Sequence, residues 1–357
     1  MKNYKLISCL LITCILITIV FVFKNRNKDE DIIKIGAILP LTGPLSEIGT
    51  DEKLAIDMAV EKFDFKNKIK IEYRDSKGDV KESLSAASQL INQGVSKIIL
   101  STTPVVIANL EKYQNKDLLL IAQCMAPQVV KNYKNALRIY VSVDNETDLI
   151  KDYVKSKSYE RLSFLYINND FGQSGVKEIR RKIDSTIETQ TESFSFQDKN
   201  FQNQILKIAN YNPDALVVYS YPQQWLNILK QMEQYKFEKK IIANSGLSFL
   251  LNEIEELDIS KNLIVPLPKY IYEENDTMIN RFKDLLANRT SKSANYDIIY
   301  FYDMMKILID NIYEHPNVKN SDLINFITSK NYIGISGDLK FIERDIKSLD
   351  LKLSEIN

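Results

Sequence analysis

The stretch that most constrains this 357-residue chain is Ile33 to Gly49, IKIGAILPLTGPLSEIG. Ile35 to Leu39 form a continuous apolar run closed by Pro40, the pattern of a strand buried on both faces, as a parallel sheet requires. Turn-forming residues follow, Pro40-Leu41-Thr42-Gly43-Pro44. A helical pattern comes next, with Leu54, Ala55, Met58, Ala59 and Phe63 on one face. Thr50 is the expected N-cap. A strand, a polar loop and a helix in this order open an α/β sheet, and ligands of such sheets collect beyond the carboxyl ends of the strands.

The pattern continues along the chain. Strands are expected at 69–73, 97–100, 118–122, 161–167, 189–195, 215–219 and 240–243. A last strand, 263–265, should end at Pro266 and Pro268. Between them lie amphipathic segments such as 80–93, which stops at Gly94, a natural C-cap. Helices near 276–287, 295–313 and 320–330 and a closing hairpin over 335–353 complete the chain. Two strand–helix arrays with a late return of helices predict an α/β fold of two lobes joined by more than one crossover.

Charge and residue usage exclude several kinds of chemistry. Lys+Arg and Asp+Glu are both 47, so no global field favours nucleic acid. Of the three cysteines, Cys9 and Cys14 lie in the N-terminal apolar segment and Cys124 stands alone, which excludes a disulfide framework and argues against structural zinc. The single histidine, His315, sits in the polar turn Glu314-His315-Pro316 and reads as a loop residue. A histidine-based triad or metal centre therefore has little material, and no cofactor is expected. None of the ten glycines makes a dinucleotide or P-loop fingerprint. Gly172-Gln173-Ser174-Gly175 is one residue short of a nucleophile elbow. An α/β enzyme is the weakest reading.

Residues 6–23, LISCLLITCILITIVFVF, are continuously apolar and preceded by Lys2 and Lys5. Eighteen residues at helical rise span about 27 Å, nearly a hydrocarbon core. A basic start and an apolar run are an export signal. No small-x-small cleavage site follows, and the lipoprotein-like Leu11-Ile12-Thr13-Cys14 is followed by more apolar residues. An uncleaved membrane anchor is expected, with a cleaved signal as the second choice. Either places the body outside the cytoplasm, tethered or secreted.

From residue 32 onward, the blocks IGAILPLTGPLSEIG, ASQLINQGVSKIIL, LLLIAQCMAP, RLSFLYINNDFGQSG, DALVVYSYPQQ, NYDIIYFYDMM and IGISGDLKF resemble, in order and spacing, type I periplasmic binding proteins. The similarity is to the branched-chain amino-acid branch of ABC transporter substrate-binding proteins. That resemblance implies two Rossmann-like lobes joined by three crossovers, near 141–145, 266–270 and 333–337, that close on a ligand like a hinge. Residues 1–31 would be anchor and linker, 32–142 plus 268–334 lobe 1, and 143–267 plus 335–357 lobe 2. The implied function is capture of a small polar metabolite, an amino acid, amide or related compound, for an ABC permease. A ligand-sensing component signalling to a membrane partner is the alternative with the same fold.

The resemblance also implies ligand contacts. The ligand carboxylate would meet small hydroxyls and N–H groups after the third and fourth strands, here Ser101, Thr102, Thr103, Gln123 and Met125, with Thr42 in the first loop. Ser101 and Thr102 could equally cap the following helix. Phe171 and Tyr221 fall at the family's aromatic positions, where core packing is the other reading. Trp225 reads as lobe packing and Tyr140 as a hinge or wall residue. Where the family carries an acid for the ligand ammonium, this chain has Ser245. A buried ammonium without a carboxylate is costly, so a less charged ligand or a filled pocket is expected. Glu47 could replace the charge, or be a solvated loop acid.

Overall fold

The computed structural model describes residues 32–126, 128–273, 275–348 and 351–356. The expected anchor at 6–23 lies outside the described residues. Among those described, no helix is long and apolar enough to cross a membrane.

Strand β1 (Ile33–Leu39) is buried from Ile35 onward, so it must be covered on both faces. It pairs in parallel with β2 (Ile69–Asp75) and β3 (Lys97–Ser101). Parallel pairing extends through β4 (Leu119–Gln123) to β5 (Ala136–Arg138), a strand too short to leave a period in the sequence. A second parallel sheet follows, from β6 (Arg161–Ile167), β7 (Glu188–Phe194), β8 (Ala215–Tyr219), β9 (Lys240–Ala243) and β10 (Leu263–Pro268). Strands β11 (Asn331–Gly334), β12 (Gly337–Ile342) and β13 (Asp345–Ser348) then join the first sheet, and β14 (Leu351–Glu355) runs antiparallel to β10. The sheet orders are β11-β12-β13-β5-β4-β3-β1-β2 and β14-β10-β9-β8-β6-β7.

The helices in the first half are α1 (Ser46–Phe63), α2 (Val80–Asn92), α3 (Thr103–Tyr113) and the short α4 (Gln128–Asn132). Next come α5 (Val143–Ser156), α6 (Asp170–Lys182), α7 (Gln202–Tyr211), α8 (Pro222–Gln234) and α9 (Leu251–Ile254). Then follow α10 (Lys269–Tyr272), α11 (Thr277–Ala287), α12 (Tyr296–Glu314) and α13 (Asn320–Thr328). Apolar cores cover both faces of the first sheet, and another surrounds the second. Met125, Tyr296 and Tyr300 reach into the latter, so the two halves share packing at their junction.

Three boundaries differ from expectation for identifiable reasons. Helix α1 starts at Ser46, and Thr50 is not its cap: the Thr50 hydroxyl donates back to the Glu47 carbonyl at 3.0 Å. The early start brings Gly49 against the Pro40 carbonyl, where an added Cβ would lie 2.2 Å from the oxygen. Strand β10 continues through Pro266 and Pro268, because β9 pairs only with Leu263 and Ile264 and leaves no partner needing the missing N–H groups.

The third difference is the last crossover. Residues 333–337 are the turn between β11 and β12, held because Asp303 accepts from Ile335 N at 2.9 Å and from Ser336 N at 2.8 Å. Residues 337–348 therefore belong to the first sheet, although 335–357 was expected with lobe 2. Leu339, Phe341 and Ile346 fill the first core, and only β14 joins the second sheet. Strand β13, which ends at Ser348, lies in the first sheet, and β14, which begins at Leu351, lies in the second.

Candidate functional site

The carboxyl ends of β3 and β4 face those of β6, β8 and β9 across a cavity of about 70 Å³. Of the residues singled out in the sequence, Ser101, Thr102, Thr103, Gln123, Met125, Tyr140, Phe171, Tyr221 and Ser245 border it. Thr42 does not. It is exposed on the β1 loop, where its backbone N–H and hydroxyl bond Asp75, so its role is to tie that loop to β2. Glu47 is likewise exposed and borders a wider recess of about 810 Å³, which shares Ile48, Pro222 and Phe249 with the cavity.

The hydroxyl residues after β3 do not act as side-chain caps. Ser101 donates to the buried Glu52 carboxylate in α1. Thr102 occupies the N-cap position of α3 without a side-chain cap bond, and its hydroxyl has no partner. Its backbone lies at φ 71, ψ 139, a left-handed conformation that a β-branched residue rarely adopts. On the neighbouring strand, Gln123 is 3% exposed, yet neither its amide nitrogen nor its amide oxygen meets a protein partner. Buried polar atoms of this kind are costly unless something else pairs with them.

The opposite wall is aromatic. Phe171, at the start of α6, stacks on Tyr221 with ring centres 4.8 Å apart and planes at 17°. Asn169 caps α6 by accepting from Gly172 N at 3.0 Å, which fixes Phe171 at the cavity edge. Trp225 is fully buried as packing, and its Nε1 donates to Asn244 Oδ1 at 3.2 Å, orienting a cavity-lining amide. The Ser245 backbone N–H is already engaged: it donates to Glu146 Oε2 at 3.0 Å. Burial holds the Glu146 carboxyl above the ordinary range, against the lowering bonds from Tyr219 and Ser245.

Two acids on the first wall were not read from the sequence. Glu52 in α1 and Asp297 in α12 both line the cavity. Tyr140, named from the sequence as a wall or hinge candidate, donates to Asp297 Oδ1 at 2.6 Å and packs its ring 5.4 Å from Tyr300. Burial raises the Glu52 carboxyl well above its usual range, the Asp297 charge raises it further, and the Ser101 bond opposes both. Asp297 is pushed up to about 7 by burial, against the Tyr140 bond. A signal existed: Glu52 stands four residues after Ile48 and three before Ala55, on the buried stripe of α1. Asp297 likewise stands in the first turn of α12 among the buried Tyr296, Ile298, Ile299 and Tyr300.

Two parallel sheets that point their strand ends at one shared cavity, with unpaired polar groups on one side and stacked rings on the other, define a bilobed binding protein. The chain belongs to the periplasmic binding protein family, whose model matches residues 32–347. This is a family of binding proteins rather than enzymes, and membership places the body outside the cytoplasm. The chain is 21% identical to a leucine-, isoleucine-, valine-, threonine- and alanine-binding protein of Pseudomonas aeruginosa, over 93% of this chain and 92% of the relative. It shares its fold with a leucine-binding protein from Thermotoga maritima (TM-score 0.81, 18% identity, 90% of this chain and 98% of that one). A solute-binding protein from R. palustris in complex with benzoate is similar as well (TM-score 0.82, 12% identity, 91% and 93% covered).

Proposed function

We propose that this protein captures a small carboxylate-bearing solute, an amino acid or a related compound, between its two halves and delivers it to an ABC permease. The observation that carries this reading is the cavity itself. Unpartnered polar groups of Thr102 and Gln123 face it from one sheet, and the Phe171–Tyr221 stack faces it from the other. The amino-acid and benzoate relatives agree with a carboxylate ligand, since both solutes carry one.

Sheet membership supports lobes of 32–142 plus 269–348 and 143–268 plus 351–356. At about 70 Å³ the cavity is smaller than the few hundred Å³ usual for ligand sites. Entry therefore requires the lobes to part, and the wider recess beside Ile48 and Pro222 marks the direction. Residues 6–23 would hold the protein at the membrane; washing membranes with carbonate should leave it in the pellet, and recovery in the soluble fraction would show release.

The test of the binding reading is a thermal-shift screen of the full-length protein against amino acids, amides and short or aromatic carboxylic acids, followed by calorimetry. A ligand whose affinity disappears in the Thr102→Ala, Tyr221→Ala double variant supports the site. Equal affinity in that variant removes it.

A further inference from the structure

Building on the solute-capture reading, we propose that Glu52 and Asp297 together receive a protonated primary amine of the ligand. They would supply from the first lobe the charge that the loop after β9 lacks.

Glu52 is 2% exposed and Asp297 is 3% exposed, on two helices that pack against one another. Glu52 accepts from Ser101 through Oε1, while its Oε2 lines the cavity region without a protein donor. Among the described residues no lysine or arginine opposes either acid. The base on this side, Lys292, is held 2.5 Å from Asp51, whose other oxygen accepts from Asn295. Two carboxyl groups buried together must either keep a proton or receive a cation from outside. An ammonium has three donors, and three acceptors are at hand: Glu52 Oε2, the Asp297 carboxyl, and the unpartnered amide oxygen of Gln123, whose strand position pairs with Ser101.

The buried acid of the opposite wall, Glu146, does not line the cavity: it sits behind Ser245, accepting from its backbone N–H. Phe171 and Tyr221 present rings there. The ligand would then lie with its amine toward α1 and α12, leaving the Thr102 hydroxyl and the Gln123 N–H groups as donors for its carboxylate. The titratable and polar groups that act on the acid pair are Asp51 from α1, Tyr140 from the crossover, Tyr270 from α10 and the Ser101 hydroxyl from the end of β3. Cys124 also lines the cavity. Burial raises the Cys124 thiol to about 11, so it stays neutral and does not compete for the proton.

The experiment is calorimetry on the full-length protein with glycine, L-alanine and L-leucine and with their amine-free counterparts acetate, propionate and 4-methylpentanoate. Wild type should bind an amine-bearing probe about tenfold or more tighter than its counterpart, and Glu52→Gln or Asp297→Asn should erase that preference. Amine binding near pH 6 should release about one proton, read as an enthalpy difference between two buffers, which tests the proposal on wild type even if a variant folds poorly. Equal binding of both probe sets, unchanged in the variants and without proton release, overturns the amine receptor and leaves solute capture standing. Binding of amine-free probes alone has the same meaning. No binding by any of the six probes overturns the amine receptor, and the wider screen then decides solute capture.

Discussion

Asp345 in β13 forms a buried ion pair with Arg138 in β5, joining the last strand of the first sheet to the last of its parallel core. Arg138 is fully buried, and its Nη1 also donates to the carbonyls of Cys124 and Val141, each at 2.9 Å. One guanidinium thus sets the join between the C-terminal strands and the parallel core, the cavity loop after β4 and the start of the first crossover.

Removing one partner should be far worse than removing both. Asp345→Ala leaves a buried guanidinium uncompensated, and urea unfolding should report a loss of about 3–5 kcal/mol. Arg138→Met combined with Asp345→Leu should recover part of that loss, because a packed apolar pair needs no desolvation. Full additivity of the two single losses would show that the residues act independently.

The strained Thr102 gives a second expectation. A non-glycine residue in this region costs about 1–3 kcal/mol, and glycine in the unfolded chain costs about 0.4–1 kcal/mol. Thr102→Gly should therefore raise unfolding stability by about 1 kcal/mol, while Thr102→Ala, which keeps its Cβ, should not. Loss of the hydroxyl should weaken ligand binding in both. A Thr102→Gly protein less stable than Thr102→Ala would mean that the observed backbone is not strained.

The sequence made strands such as Ala215–Tyr219 and Lys240–Ala243 legible because a strand buried on both faces is apolar throughout, whatever it packs against. The family resemblance pointed to Ser101, Gln123 and Tyr221 as ligand contacts, and the structure brings all three to one cavity. What the sequence hid depended on distant partners. Leu339 and Phe341 alternate like any half-buried strand, and nothing local says which sheet they cover. Thr42 looked like a ligand contact until Asp75 was placed beside it. Glu52 and Asp297 fall on buried helix faces, but that they share one cavity follows only from the packing of α1 against α12.

Gly175 supports the aromatic wall by its smallness. An added Cβ would sit 2.2 Å from the ring of Tyr219, which is fully buried and lies 6.0 Å from Phe171. Alanine in a helix is favoured over glycine by about 1 kcal/mol, but overpacking a core costs about 1–3 kcal/mol. The ring is fully buried and packs against Phe171, so Gly175→Ala should lower the melting temperature and disturb the near-ultraviolet signal of the Phe171–Tyr221 stack. A higher melting temperature with an unchanged spectrum would contradict this packing.

The acid pair should also give stability a distinctive pH dependence. Asp297 titrates at about 7 in the folded protein, raised by burial, against an ordinary value of 3.8. A raised carboxyl binds its proton more tightly when folded. Below about pH 4 both states are protonated and the ligand-free protein has the full benefit. As pH climbs from about 4 to about 7 the unfolded chain ionises first, and stability falls at up to about 1.4 kcal/mol per pH unit for this group. Glu52, raised in the same direction by burial and by Asp297, steepens the fall. Asp297→Asn keeps an oxygen for Tyr140 but cannot ionise. Its stability relative to wild type should therefore improve steadily across that interval, in urea titrations at fixed salt. If the two proteins keep a constant difference from pH 4 to pH 8, Asp297 is already charged in the folded state, and the cavity holds an anion rather than a proton waiting to be displaced.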